Sequence, residues 1–248
     1  MQSLAQYRAR YAQYKGDPDL QAAHACAPWI PIWDDHEVDN DYASLQGQRL
    51  QPDFATQRRQ AYQAYWEHMP LPHRLKPDLN APGGSLPLYR RADWGRLARI
   101  HLLDDRQYRD PQVCPRPDRG GCSHIVNLRD CPELDQTSRT LLGSAQEQWL
   151  AQGWDTQRRW NLVGEQTLMS RWSWSDPYGP GRGTYWTDGW DGYPHARIDE
   201  RGFVAFEIDE QALMAQLFVV DNIEEPASAV RVGARYAVDP RRPGVQAV

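Results

Sequence analysis

The sequence predicts a mixed α/β layered fold, on three observations. Helical periodicity opens the chain, short apolar runs of strand length interrupt it, and the residues after 202 alternate or run apolar as strands. With 248 residues the chain is long enough for one large domain or two small ones, and for a sizeable core.

The elements follow in order. Residues 3–14 predict a helix capped by Ser3, with Leu4, Tyr7, Tyr11 and Tyr14 at helical spacing. Asp17 and Pro18 open a second, short helix carrying residues 20–25. Residues 29–33 form an apolar run of strand length that stops abruptly at Asp34. Asp53 caps a helix through about His68, with Phe54, Ala61, Tyr62 and Tyr65 on one side. Residues 86–91 and 97–105 predict strands, and 106–140 a long irregular stretch. Ser144 and Glu147 have the spacing of a capping box ahead of 148–152. Residues 160–169 predict a strand, or a strand leading into a helix, whereas 171–193 fit no regular period. Residues 203–208, 213–220 and 230–238 predict terminal strands.

Composition excludes some functions. The 28 basic and 33 acidic residues leave a net charge of −5, which removes the electrostatic case for nucleic acid. Only Lys15 and Lys76 are lysine; the arginine skew suits bidentate recognition of carboxylate or phosphate, but gene base composition is the first explanation. The longest apolar runs, such as 217–220, are far too short to span a membrane. Met1 leads straight into a charged amphipathic pattern unlike a signal peptide, so the protein is cytoplasmic or its true beginning is missing.

Cys26, Cys114, Cys122 and Cys131 form no CxxC pair, which argues against a zinc ribbon. Cys114 and Cys122 bracket a Pro/Gly/Arg loop and suit a short disulfide in an oxidising compartment; free thiols are the alternative.

The richest chemistry lies at 34–41, where five of eight residues are acidic and His36 stands among them. Carboxylates this dense repel one another unless cations neutralise them, and oxygen-rich sites suit hard metals. The end of a strand is also where open α/β sheets place their sites. A solvated acidic turn is the alternative. An EF-hand is excluded, because Asn40 replaces the turn glycine and Gln46 the bidentate glutamate.

The stretch WDDHEVDN at 33–40 resembles the signature of the PhoD-like alkaline phosphatases, a branch of the metallophosphatases. YRARYAQYK at 7–15, LQAAHA at 20–25, YQAYWEHMP at 62–70 and LDDRQYRD at 103–110 resemble the same family in the same order. So do residues 142–143, QEQWL at 146–150 and DGWDGYP at 188–194, so that the resemblance covers 4 to about 197. Residues 201–204, 219–222, 226–228 and 242–244 resemble the family's C-terminal strands. Between these parts the family carries a segment with a Gly-Asp-x-His metal motif, and upstream a Gly-Asp-Tyr motif; this chain has neither, and Gly16-Asp17 reads as a helix start. The chain thus resembles the middle and end of such a phosphatase with two pieces removed. Residues 1–197 would be the central part of the domain and 198–248 its terminal strands.

The resemblance implies a partial metallophosphatase-type layered α/β sandwich with long loops. It implies hydrolysis of phosphomonoesters and phosphodiesters on a cluster of iron (Fe3+) and calcium (Ca2+), and a family that is typically exported. By position Asp35 would be a metal ligand, Asn40 a second one, and His36 would contact phosphate or protonate the leaving oxygen. Asp34 is a further ligand candidate, or a carboxylate that orients its neighbours. Tyr14 is a candidate phenolate ligand for iron, against a tyrosine packed on a helix face. Arg106 would clamp phosphate, against an internal Arg–Asp ion pair. His195 would rim the site, and His24 reads as a packed histidine. The tryptophans of 149–190 would stack on substrate or anchor the core. Two other readings remain open: an inactive remnant or interaction scaffold, and a sugar-binding module built on the tryptophan loop.

Overall fold

The computed structural model describes residues 3–116, 121, 123–155, 157–169, 183–196, 204–208, 213–220, 230–239 and 242–247. Helix α1 (Leu4–Lys15) begins with a reciprocal cap. Ser3 Oγ accepts the Gln6 N–H at 3.3 Å, and Gln6 Oε1 accepts the Ser3 N–H at 3.2 Å. Helix α2 (Pro18–Cys26) starts at Asp17, whose carboxylate accepts the N–H groups of Asp19 and Leu20, while Pro18 needs no partner there. Helix α3 (Phe54–His68) has Asp53 at its N-cap position without a side-chain capping bond.

The main core forms where α1 and α3 meet. Tyr7, Phe54, Ala61, Tyr62 and Tyr65 are buried there with Trp33, Val38, Tyr42, Leu86 and Leu88. Tyr14, the last of the periodic residues of α1, is 58% exposed and so does not join this core.

Residues 29–33 are not a strand. The run is extended, but no strand among the described residues pairs with it, and Pro31 has no N–H to give a ladder. Side chains hold it instead: Arg90 Nη2 donates to the Pro31 carbonyl at 2.7 Å, and Trp33 is fully buried.

Strands β1 (Arg90–Trp94) and β2 (Ala98–Leu102) form an antiparallel hairpin, turning at Gly95, whose φ of 54° is the left-handed value a glycine tolerates. The first strand therefore begins four residues later than its apolar pattern suggests; Leu86 and Leu88 are buried in irregular backbone. A two-residue strand β3 (Ile125–Val126) interrupts the long loop.

Helix α4 (Ser144–Ala151) lacks the expected capping box. Ser144 is its first helical residue, and Gly143 (φ 75°) stands at the cap. Thr140 takes over, its hydroxyl accepting the Leu142 and Gly143 N–H groups at 3.2 and 2.9 Å and donating to Glu147.

Strand β4 (Trp160–Gly164) pairs parallel to β2, giving the sheet order β1-β2-β4, and β5 (Tyr185–Trp186) pairs antiparallel to β3. Strands β6 (Val204–Ile208), β7 (Leu213–Val220), β8 (Val230–Asp239) and β9 (Arg242–Ala247) make an antiparallel meander of their own.

The disulfide joins Cys114 to Cys131 rather than to Cys122, which lies outside the described residues. The reason is the fold of the loop: Cys131 is buried with Val113, Leu134 and Tyr185, which brings it to Cys114. Among the described residues, no helix is long and apolar enough to cross a membrane.

Candidate active site

The acidic segment 34–41 is gripped by the core on both sides. Trp33, just before it, stacks on Tyr62 with ring centroids 4.2 Å apart and meets Tyr65 edge-on at 5.3 Å. Past the middle of the segment the Tyr7 hydroxyl donates to the Val38 carbonyl, which Gln57 Nε2 also approaches at 3.4 Å. Helices α1 and α3 thus hold one carbonyl of the loop together.

Within the segment four of the five carboxylates divide into two groups. Glu37 and Asp39 shape the chain: Glu37 Oε2 accepts the Asp34 N–H, and Asp39 Oδ2 accepts the Gln48 N–H and Gln51 Nε2. Asp35 and Asp41 face inward. Asp35 Oδ1 accepts the His36 N–H at 2.9 Å, and Oδ2 accepts the Asp41 N–H at 2.8 Å. Asp41 has a φ of 56°, a left-handed conformation that aspartate tolerates better than bulkier residues. Its carboxylate accepts the Ser123 N–H at 2.9 Å.

A third carboxylate comes from far along the chain. One oxygen each of Asp35, Asp41 and Asp188 lies within 4.8 Å of the others, and all three residues are buried. Two buried arginines from the segment after β2 balance them. Arg106 Nη1 reaches both oxygens of Asp188, at 3.0 and 2.9 Å, and its Nε donates to Asp34 at 2.6 Å. Arg109 donates to the Asp188 carboxylate and carbonyl and to the carbonyls of Asp41 and Tyr42. Gln112 Nε2 ties the Asp41 carbonyl to Asp188.

Charge in this cluster is not evenly compensated. Burial pushes the Asp188 carboxyl up, but Arg109 and Arg106 outweigh it and hold it at about 2. Asp34 and Asp41 are raised above the usual carboxylate range, chiefly by burial, with neighbouring carboxylates adding to it. Asp105, beside Arg106, is pushed up to about 6 by burial. Two acceptors there, Asp105 Oδ1 and Gln112 Oε1, are buried without a hydrogen-bond partner.

His36 stands at the mouth, its side chain 76% exposed and Nε2 3.7 Å from Asp35 Oδ2. Its ring nitrogen hydrogen-bonds Asn40 Oδ1 at 2.9 Å; that bond and the Asp35 charge raise its pKa.

The residues singled out from the sequence separate accordingly. Asp35 joins the carboxylate cluster. Asn40 faces His36, and Asp34 faces Arg106. Arg106, only 2% exposed, commits Nε and Nη1 to carboxylates, the internal ion pair weighed beside the phosphate clamp. Tyr14 lies on the outer side of α1 with Arg10 over its ring and lines a cavity with His36 and Glu37. His195 hydrogen-bonds Asp135 at 3.1 Å and lines a different cavity, with Trp154 and Trp190. His24 packs edge-on against Trp29. Asp41, Arg109 and Asp188 were not singled out. Asp41 closes the acidic run, and Asp188 opens the DGWDGYP stretch; their convergence is tertiary, so only the acidic character of each was visible.

The PhoD-like phosphatase family model matches residues 1–214. The chain belongs to the PhoD-like phosphatase family. It is 40% identical over 199 residues to alkaline phosphatase D of Bacillus subtilis (strain 168), an overlap of 79% of this chain and 31% of that protein. A solved structure titled "Structure of PhoD" superposes with a TM-score of 0.76 at 27% identity, covering 100% of this chain and 60% of that one. The chain thus spans less than two thirds of each relative. The mixed α/β architecture expected from the sequence is the one this PhoD-like chain shares with the solved structure.

Proposed function

We propose that this PhoD-like chain is a phosphoric ester hydrolase, or the part of one, that cleaves phosphomonoesters and phosphodiesters at the mouth of the 34–41 loop. The observation that carries the reading is the convergence of Asp35, Asp41 and Asp188 within 4.8 Å beside exposed His36.

The donor set fits a hard cation of the calcium class. It offers three buried carboxylates, the Asp41 carboxyl is raised, and Gln112, which bonds Asp188, has a buried Oε1 with no hydrogen-bond partner. Fe3+ is also a hard cation that carboxylate oxygens suit, so the same set accommodates the iron that the family resemblance implies. Asp35, Asp41 and Asp188 would hold the cation, which would supply neutralisation of the charge developing on phosphorus oxygens and an activated nucleophile.

The chain's own groups do the rest. His36, held by Asn40 and the Asp35 charge, keeps a proton at Nε2 and passes it to the leaving oxygen. Arg106 and Arg109 fix Asp188 and the backbone of Asp41 and Tyr42, and so position the cluster. The Cys114–Cys131 disulfide supports export to an oxidising compartment.

The test is turnover of bis(4-nitrophenyl) phosphate by the purified chain, with calcium and with chelator, in wild type, Asp35→Asn and Asp41→Asn. Calcium-stimulated release of nitrophenol that both variants lose supports the reading. Soluble, folded protein without turnover favours the alternative, a catalytically inactive remnant of the family.

A further inference from the structure

The Cys114–Cys131 disulfide joins positions 17 apart and closes a strap whose contacts fall on the carboxylate cluster. Within the strap, the Gly121 N–H donates to the Gln48 carbonyl at 2.9 Å, and the Ser123 N–H to Asp41 Oδ2 at 2.9 Å. His124 and Thr187 then exchange bonds. The His124 N–H donates to Thr187 Oγ1 at 3.0 Å, and the Thr187 N–H to the His124 carbonyl at 3.1 Å. Strand β3 follows and pairs with β5, Ile125 opposite Trp186 and Val126 opposite Tyr185. The strap therefore holds Asp41 directly and runs beside the stretch that delivers Asp188. Just ahead of its first cysteine, Gln112 Nε2 donates to the Asp41 carbonyl and to Asp188.

The bond stands where the two ends of the strap meet. Cys131 is 1% exposed, against Val113, Leu134 and Tyr185, whereas Cys114 is partly exposed. Cys114 has a φ of 51°, a left-handed value unfavourable for a residue with a Cβ. Opening the bond frees Cys114 to leave that conformation and removes the covalent closure of the strap.

We infer that this disulfide sets the affinity of the Asp35, Asp41 and Asp188 cluster for its cation, so that oxidation of the two thiols strengthens cation binding and reduction weakens it. A dithiol reductant opens the bond. Its thiolate attacks the accessible Cys114 sulfur, and Cys131 leaves and takes a proton. The second thiol of the reductant then displaces Cys114, which is protonated in turn, and the reductant closes to its own disulfide. Two electrons and two protons have passed to the chain. With its closure gone, the strap holds the Ser123 N–H less firmly on Asp41, and losing a group that orients a metal ligand costs about 10–100-fold in metal affinity. A chain in a reducing compartment thus binds the cation weakly, and bond formation in an oxidising one raises the affinity. The inference rests on the proposed cation role of the cluster.

The test is calcium binding by isothermal titration calorimetry, to the oxidised chain and to the chain reduced with dithiothreitol. Cys26→Ser and Cys122→Ser are present in both, so that no other thiol can pair. Reduction should weaken binding about 10–100-fold with circular dichroism unchanged, and reoxidation should restore it. Ser123→Pro keeps the bond and removes the donating N–H. It should weaken binding in the oxidised chain, and reduction should add little to that loss. Equal affinity in the two redox states overturns the inference and leaves the cation site standing. So does a reduction effect undiminished in Ser123→Pro, or a reduced chain that loses its circular dichroism, because the bond then acts through the fold as a whole. Absence of calcium binding to the oxidised chain removes the cation reading itself, and the inference with it.

Discussion

Arg106 Nη1 holds both oxygens of Asp188, at 3.0 and 2.9 Å, across 82 positions of sequence. With Arg109 on the same carboxylate, this contact ties the segment after β2 to the DGWDGYP stretch and closes the floor of the acidic loop.

The floor carries stability. Asp188→Asn leaves two buried guanidiniums short of a countercharge, and removing one partner of such a pair costs about 3–5 kcal/mol. Denaturant unfolding should show a loss of that order. A loss below about 1 kcal/mol would mean the pair is not buried as described.

Stability should fall as pH rises from the acid range towards neutral. Burial pushes Asp105 up to about 6 and Glu165 up to about 7, from ordinary values of about 4. Both bind their proton more tightly in the folded state, so their contribution is full below about 4 and is lost through about 6 and 7. Asp188, held at about 2, acts oppositely: its contribution is present above about 4 and lost as pH falls through about 2. Glu165→Gln keeps an acceptor for Trp190 Nε1 and removes one of the falling contributions. Its melting temperature at pH 8 should exceed that of wild type, and the two should converge near pH 4; parallel curves would contradict this.

The disulfide should be separable by mass. Non-reducing peptide mapping should yield the Cys114–Cys131 pair, and reduction should cost about 3 kcal/mol for a loop of this length. A Cys114–Cys122 peptide would refute the pairing.

Trp33 sets the start of the loop through its stack on Tyr62. Trp33→Ala should cost about 3–5 kcal/mol, as large aromatic truncations in cores do. His36→Ala, at an exposed position, should cost almost nothing in stability, which calorimetry of the two variants side by side will check.

Much of the fold was legible because its signals are local. Ser3 and Asp17 announced α1 and α2 by their capping chemistry, and Phe54, Tyr62 and Tyr65 showed the buried side of α3. The failures share one cause. Residues 29–33 looked like a strand, Ser144 like a cap and Cys122 like the partner of Cys114, yet each outcome was decided by groups distant in sequence: Arg90 on Pro31, Thr140 over the start of α4, and the pocket that buries Cys131. At the site, the density of acid at 34–41 was visible. The selection of Asp35 and Asp41 from it was not, because Asp188 and two arginines do the selecting.

The most direct test of the site is the effect of His36→Ala on two phosphodiesters in calcium, one with a 4-nitrophenolate leaving group and one with an alkoxide. A histidine that protonates the leaving oxygen matters most where that oxygen is basic. General-acid catalysis by His36 predicts a loss of about 10²–10⁴-fold on the alkyl ester and a much smaller one on the nitrophenyl ester. Equal losses on both, or wild-type rates in the variant, would contradict it.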